Sequence, residues 1–163
     1  MKDYFKYKTV WFTLLIVLTI MIAIFFMSAQ TVEESTETSG YFVDMFIKLI
    51  YPDFDSLSGV EKEGALDRIT HIIRKLAHFT EYAVLGFFLT MHIRELKCKL
   101  KLKANAVWAA IIGILYAVSD EIHQFFVPGR GPGIKDVMID SFGVIAGIAL
   151  MMMLARILDG KKN

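Results

Sequence analysis

The chain has 163 residues, 55% of them hydrophobic, and its formal net charge is +1. A charge so close to zero gives no global field that would attract nucleic acid, and a single cysteine excludes an internal disulfide and a cysteine-based zinc site. The hydrophobic residues are concentrated in long blocks, which is typical of a chain solvated by lipid.

The first apolar block, residues 10–27, contains no charged residue and follows three lysines. A secretory signal has a similar basic start, but its apolar core is usually shorter, roughly 7–15 residues. The sequence Met27-Ser28-Ala29 is also a poor cleavage site, because cleavage requires small residues. We interpret this block as a retained membrane span, with a cleaved signal as the alternative.

The next segment, residues 30–74, begins with polar and acidic residues and is predicted to lie outside the membrane. From Tyr41 to Ile50 the apolar positions fall on one helical face, which indicates a short amphipathic helix in the headgroup plane. Pro52 ends this helix because proline lacks the backbone N–H that the helix needs. Ser58 and Glu61 have the spacing of a capping box, so a new helix is predicted to begin there.

Three further apolar segments follow, at residues 76–93, 104–126 and 137–154. Each is close to the roughly 20 residues that cross about 30 Å of hydrocarbon. No repeat or flexible linker divides the chain. We therefore predict an all-α polytopic membrane protein with a single domain (1–163). Its architecture would be a four-transmembrane-helix bundle with an extracytoplasmic amphipathic helix between spans 1 and 2.

Basic residues predict the orientation of these spans. The connection between the second and third spans contains Arg94, Lys97, Lys99, Lys101 and Lys103. Other basic residues precede the first span and follow most of the fourth. The positive-inside rule places all three segments, and therefore both termini, in the cytoplasm. The loop 30–74 and the turn 127–135 would then lie outside.

Ionisable residues collect at the predicted outer ends of three spans. Glu81, Asp120 and Asp140 each lie within about two helical turns of the outer limit of their span, so one common depth is expected. Several charges facing lipid would cost on the order of 5–10 kcal/mol. They must therefore be paired, hydrated, ligand-bound or neutralised. Gly143 and Gly147 lie on the same stripe as Asp140 and would let the fourth span approach a neighbour closely.

Two interpretations of this cluster compete. For any one residue, an ion pair that joins two helices is the simpler explanation. For the whole cluster, two histidines, four acids and nearby cations favour a ligand or catalytic site. Outside the cluster, His71 could line the entrance of such a site, whereas His92 is interpreted as an interfacial residue at the cytoplasmic end of the second span.

Three polar motifs occur in order: Arg74 to Tyr82, Ser119 to Arg130, and Asp136 to Gly147. Together they closely resemble the VanZ-like family over roughly residues 11–155. The resemblance implies a multi-pass protein of the bacterial plasma membrane that is linked to resistance to the glycopeptide teicoplanin, and it implies no particular reaction. Members of the family often have Asn in place of Asp140, which argues against a mechanism that needs a carboxylate there.

The first hypothesis is an enzyme that acts on an amphiphile of the outer leaflet, such as a lipid, a lipid-linked wall precursor or an acylated antibiotic. Its candidate catalytic residues, with a histidine as base or nucleophile and a carboxylate orienting it, are His78, Glu81, Asp120 and His123. Candidate substrate-binding residues are Lys75, Tyr82, Glu121, Gln124, Arg130, Asp136 and Asp140. The basic ones among them would hold a phosphate or carboxylate. No HExxH, GxSxG or CxxC motif accompanies them.

Other hypotheses remain open. We assign no metal ligand and no cofactor, but a metal-dependent version would draw mixed N/O ligands for zinc or manganese from His78, Glu81, Asp120, His123 and Asp136. A non-catalytic protein that binds a lipid or a lipoglycopeptide is the second class, together with a purely structural cluster. A transporter is disfavoured because four spans are few and inverted repeats are absent. A homo-oligomer stays open.

Overall fold

The computed structural model describes residues 2–96, 102–131 and 133–160, with the side chains of residues 2–7 and 102 excepted. Five α-helices make up nearly all of the described chain: α1 (Lys2–Ser28), α2 (Val32–Ile50), α3 (Gly59–Glu95), α4 (Leu102–Gln124) and α5 (Ile134–Gly160). A 3-10 turn (Phe54–Ser56) separates α2 from α3. The all-α prediction is confirmed. Most of the predicted cytoplasmic basic connection, including Cys98, lies outside the described residues.

Three helical segments are long and apolar enough to cross a membrane: Lys8–Ser28, Lys103–Gln124 and Ile134–Gly160. They contain the predicted first, third and fourth spans, although α4 ends two residues before the predicted limit. The predicted second span, residues 76–93, is helical as the C-terminal part of α3. It is absent from these three segments, and it is more polar because it carries His78, Glu81 and His92. The four-span count therefore stays a prediction.

Large apolar side chains cover the outside of the bundle. Trp11 is 68% exposed, Leu15 and Leu115 are 63% exposed, and Phe142 is 58% exposed. A soluble monomer rarely carries so much contiguous apolar surface. This surface fits a chain whose helices are solvated by lipid.

The helix α2 begins earlier than the amphipathic segment predicted at residues 41–50. Thr31 caps it: the Thr31 N–H donates to Glu34 Oε2 at 2.8 Å, and the Glu34 N–H donates to Thr31 Oγ1 at 3.3 Å. This capping box has the same Ser/Thr-x-x-Glu spacing that predicted the start of α3, so the sequence already contained the signal. Val43 and Ile47 are the buried residues of α2.

Close backbone packing between α3 and α5 organises the bundle. A Cβ atom at Gly147 would overlap the carbonyl oxygen of Ala83, and one at Gly143 would overlap the carbonyl oxygen of Phe79. From the other side, a Cβ atom at Gly86 would overlap the backbone of α5. The small residues predicted on α5 therefore allow two helix backbones to touch. This contact brings the N-terminal end of α5 against residues 75–82 of α3.

Polar contacts attach α1 to the other helices. The Tyr116 hydroxyl donates to the carbonyl oxygen of Met21 at 2.6 Å. Thr13, which is fully buried, lies 2.9 Å from His92 through Thr13 Oγ1 and His92 Nδ1. His92 thus joins α1 to α3, a contact that sequence reasoning did not predict. Both contacts bury polar groups with a partner, as a membrane interior requires.

Candidate functional site

The predicted ionisable residues meet at one end of the bundle. Here α1 and α4 end, α5 begins, and α3 passes with residues 74–82. We call this group the polar cluster, and its members are Lys75, His78, Glu81, Tyr82, Asp120, Glu121, Gln124, Arg130, Asp136 and Asp140. Alternating helix direction places them at the same end, as the sequence predicted.

Asp120 lies at the centre of the polar cluster and is 3% exposed. Its Oδ2 atom accepts hydrogen bonds from Ser28 Oγ at 2.7 Å and from Gln124 Nε2 at 3.1 Å. Its Oδ1 atom is buried and has no partner among the described residues. Sequence reasoning considered Ser28 only as part of a cleavage site. A serine at the end of an apolar span, at the depth of the acids, was the available signal.

His78 and Asp140 face Asp120 from the two neighbouring helices. His78 Nδ1 lies 3.9 Å from Asp140 Oδ1. One possible ligand atom from each of His78, Asp120 and Asp140 lies within 4.8 Å of the other two. Asp140 is 1% exposed, and both of its carboxylate oxygens lack a partner in the described part of the chain.

Arg130 connects the turn after α4 to the end of α1. Its Nε donates to the carbonyl oxygen of Gln30 at 2.8 Å, its Nη1 to Gln124 Oε1 at 2.8 Å, and its Nη2 to the carbonyl oxygen of Met27 at 3.3 Å. Burial is the main cause that lowers the pKa of the Arg130 guanidinium from its ordinary value, and the neighbouring Arg74 adds to it. Because that ordinary value is so high, the group stays protonated.

Two contacts connect α4 and α3 with the start of α5. The Gly133 N–H donates to Glu121 Oε2 at 3.1 Å, and Gln124 Nε2 approaches Glu121 Oε1 at 3.3 Å. Lys75 Nζ forms an ion pair with Asp136 Oδ1. For Lys75 and Asp136, the structure therefore contains the interhelical ion pair that the simpler interpretation predicted. The predicted binding role of Glu121 and Gln124 stays a prediction.

Three predicted site residues, Tyr82, Glu81 and His123, are not part of the group formed by His78, Asp120 and Asp140. Tyr82 is fully buried, and its hydroxyl lies beside the Asp120 carboxylate without a hydrogen bond of normal geometry to any described residue. His123 stacks on Phe25 with ring centroids 4.4 Å apart, so it packs against α1 and does not join His78. The cause is helical geometry: Asp120 and Gln124 share a face, and His123 lies beside that face. Glu81 lines a separate small cavity next to His78.

Two cavities open beside the polar cluster. The larger has a volume of about 210 Å³, and charged residues from α3, α5 and the Arg130 turn line it, together with His71. The smaller has a volume of about 120 Å³ and is lined partly by Met27, Phe42 and Ala77. Both cavities are lined by Arg74, His78 and Arg130. His71 therefore occupies the position that the sequence suggested for it.

Arg74 is the cavity residue that sequence reasoning did not assign. It lies in the first polar motif, immediately before Lys75. Within residues 2–96, 102–131 and 133–160, its guanidinium forms neither a hydrogen bond nor an ion pair with another side chain. Its position in that motif, next to the predicted binding residue Lys75, was the signal that could have identified it. Helix rotation decides which of two adjacent basic residues reaches an acid, and here that residue is Lys75.

Comparison with known families identifies the chain. The sequence model of the family described as VanZ/LLP1 matches residues 12–156, nearly the whole chain. Comparison with curated proteins and with solved structures gave no match. The matched range includes every member of the polar cluster. Three helices of the described chain are long and apolar enough to cross a membrane. The predicted resemblance is confirmed, and the chain belongs to the VanZ/LLP1 family.

Proposed function

We propose that this chain is a multi-pass protein of the bacterial plasma membrane that binds an amphipathic envelope molecule in its outer leaflet. The ligand class is a lipid, a lipid-linked wall precursor or a lipoglycopeptide, and the VanZ family links the chain to glycopeptide resistance. One observation carries the proposal: Arg74, whose guanidinium is unpaired in the described structure, lines both the polar and the mainly apolar cavity.

The two cavities match the two parts of an amphiphile. The larger one presents cations and acids to a headgroup, and the smaller one presents Met27, Phe42, Ile73 and Ala77 to an apolar chain. Their combined volume lies at the lower end of the roughly 300–1,000 Å³ typical of small-molecule sites. A molecule that occupies both would pass Arg74 at the boundary.

The charges select for an anionic headgroup. Lys75 is paired with Asp136, and Arg130 donates to Gln124 and to two backbone carbonyls. Arg74 therefore keeps its donors for a ligand. A planar guanidinium matches a phosphate or a carboxylate with two parallel hydrogen bonds.

Replacing Arg74 with alanine is expected to weaken ligand binding about 10-fold or more, because a hydrogen bond to a charged group contributes roughly 1.5–3 kcal/mol. The measurement is the anionic lipid retained per protein after purification in native nanodiscs, quantified by mass spectrometry. Teicoplanin susceptibility of cells expressing the variant is measured in parallel. Arg68→Ala is the matched control, because Arg68 is an exposed arginine of the same helix. Equal lipid content and equal susceptibility in both variants would contradict the proposal.

A purely structural polar cluster is the second candidate. The Lys75–Asp136 ion pair and the hydrogen bonds of Arg130 favour it, because they join helices without a ligand. Processing of the bound molecule is a further step of the first proposal, and its candidate catalytic residue is His78, which lines both cavities. Product detection by mass spectrometry after incubation with a lipid substrate separates an enzyme from a binding protein.

The proposed topology has four spans, with α3 crossing at residues 76–93 and both termini in the cytoplasm. The helix α2 would then lie at the outer surface. Tyr41 is 76% exposed and Leu49 is 73% exposed on it, whereas Val43 and Ile47 are buried. An exposed apolar face of this kind fits the headgroup region.

Cysteine labelling tests this topology because Cys98 is the single cysteine. A membrane-impermeant maleimide on intact cells is expected to label a Ser56→Cys, Cys98→Ser variant and to leave Cys98 of the unmodified chain unlabelled until the cells are permeabilised. If α3 did not cross the membrane, positions 56 and 98 would lie on the same side. Labelling of both positions, or of neither, in intact cells would therefore contradict four spans.

A further inference from the structure

Two carboxylates of the polar cluster are almost fully buried. Asp120 is 3% exposed and Asp140 is 1% exposed. Neither forms an ion pair with a lysine or arginine in the described part of the chain, since Lys75 is paired with Asp136. Burying unpaired charge is strongly unfavourable. A ligand with two positive charges would neutralise both carboxylates at once.

Hydrogen bonds already orient one of these carboxylates. Ser28 Oγ and Gln124 Nε2 both bond Asp120 Oδ2, at 2.7 and 3.1 Å, which leaves Asp120 Oδ1 directed away from them. Metal-binding carboxylates and histidines are typically held in this manner by a second layer of hydrogen bonds. The Oδ1 atom is buried and accepts no hydrogen bond of normal geometry from the described residues, and the Tyr82 hydroxyl lies beside the same carboxylate.

Three further unpartnered atoms belong to the neighbouring side chains of His78 and Asp140. His78 Nδ1 and both oxygens of Asp140 are buried without a hydrogen bond in the described structure. One donor atom from each of these two residues and one from Asp120 lie within 4.8 Å of one another. Ligands about 2.1 Å from an ion in tetrahedral geometry are about 3.4 Å apart. Side-chain rotations that draw the atoms in by about 1 Å would complete such a site.

We propose that His78, Asp120 and Asp140 bind one divalent metal ion of the zinc or manganese class. One imidazole and two carboxylates form a mixed N/O ligand set, which suits these ions better than soft, thiolate-binding ones. The ion's charge balances the two carboxylates. Asp140 needs to supply only an oxygen atom, a role that an amide oxygen can also fill with hard cations.

The ion would also present a vacant coordination position to the ligand cavity. His78 and Asp140 both line the larger cavity, so a water molecule or a headgroup oxygen can reach the same point. Three protein ligands with one open position is the arrangement of a catalytic ion, and a closed set of four is that of a structural one. This part of the inference rests on the proposed function, whereas metal binding itself does not.

The test is metal analysis of the full-length protein purified in detergent, stripped with EDTA and reloaded with ZnCl₂ or MnCl₂. About one ion per chain is expected by mass spectrometry, with a rise in thermal midpoint on loading. Asp120→Asn is expected to reduce affinity about 100-fold or more. Its amide oxygen would accept the bonds from Ser28 and Gln124, so the NH₂ group would face the ion. His78→Ala, a second variant, is expected to lose the ion as well.

Asp159→Asn is the matched control, since it makes the same substitution at the far end of α5 and is expected to keep about one ion per chain. Circular dichroism and gel filtration establish that every variant is folded. An unmodified protein that retains no stoichiometric ion, or an Asp120→Asn variant that loads normally, would overturn the proposal. Metal content and lipid content are measured separately. A protein that loads metal but retains no lipid therefore contradicts only the proposed function, and the reverse result contradicts only the metal site.

Discussion

Gly147→Ala is expected to destabilise the folded bundle by about 3 kcal/mol, the upper end of the range for overpacking a core. The added Cβ atom would overlap the Ala83 carbonyl oxygen and would lie 2.7 Å from the Ala83 carbonyl carbon and 2.8 Å from the Phe87 backbone nitrogen. All three contacts are with backbone, which cannot rotate away as a side chain can. The helices α3 and α5 must therefore separate. The measurement is chemical unfolding in detergent micelles, followed by circular dichroism.

Gly64→Ala provides the control for this substitution. Gly64 lies inside α3, the helix that Gly147 of α5 contacts, and a Cβ atom there would meet nothing within 4 Å. Alanine is favoured over glycine in a helix interior by roughly 0.5–1 kcal/mol, so this variant is expected to gain stability. A Gly147→Ala variant as stable as the unmodified chain would show that α3 and α5 are not in backbone contact at this level.

Separating α3 from α5 also disrupts the polar cluster. His78 belongs to α3 and Asp140 to α5, and their side chains meet near the close contact at Gly143. We therefore expect Gly143→Ala and Gly147→Ala to lower the affinity for metal and lipid together with stability. If added metal restored the stability of these variants, the bound ion would be shown to join α3 to α5.

Arg130→Lys is expected to reduce stability by about 1–3 kcal/mol and, under the function proposed above, to remove the glycopeptide resistance that the chain would confer. Arg130 directs three nitrogens to acceptors on both sides of the turn, at Gln30, Gln124 and Met27. A lysine has a single nitrogen and cannot reach all three. An acceptor left without a partner costs roughly 1–3 kcal/mol where it is buried, as in the side chain of Gln124, and less where water reaches it, as at the carbonyl of Met27. The measurements are the thermal midpoint in detergent and the minimal inhibitory concentration of teicoplanin.

Arg130 would affect function indirectly, by orienting the side-chain amide of Gln124. Arg130 holds Gln124 Oε1, which leaves Gln124 Nε2 to donate to Asp120 Oδ2. Releasing the amide would free Asp120 to rotate. Lys135→Ala is the control because Lys135 is an exposed cation near the start of α5. An Arg130→Lys variant with an unchanged thermal midpoint would contradict the hydrogen-bond arrangement described here.

Hydropathy and helical periodicity predicted most of the fold. Long apolar blocks predicted α1, α4 and α5, because helix formation and lipid solvation depend on residues close together in sequence. The Ser58–Glu61 capping box predicted the start of α3, and the Ser58 N–H does donate to Glu61 Oε2 at 2.9 Å. The start of α2 was not predicted, although Thr31 and Glu34 have the same capping-box spacing.

The common end of the acidic residues also followed from the sequence alone. Once the helices alternate in direction, a residue's position within its span determines its depth, so Asp120 and Asp140 had to lie at a similar depth. The polar motifs further predicted the VanZ family, which the match over residues 12–156 confirms. These conclusions need only the order of residues along each helix.

The tertiary structure alone decided which of these residues meet. Helix rotation and the glycine contacts with α5 set each side chain's direction, and they depend on residues far apart in sequence. They bring Ser28 to Asp120, pair Lys75 with Asp136 and place Arg74 at the cavities without a side-chain partner among the described residues. They also stack His123 on Phe25, away from His78. The sequence determined the depth of the ionisable groups, and the packing of the helices determined their partners, because depth is a property of one helix and a contact is a property of two.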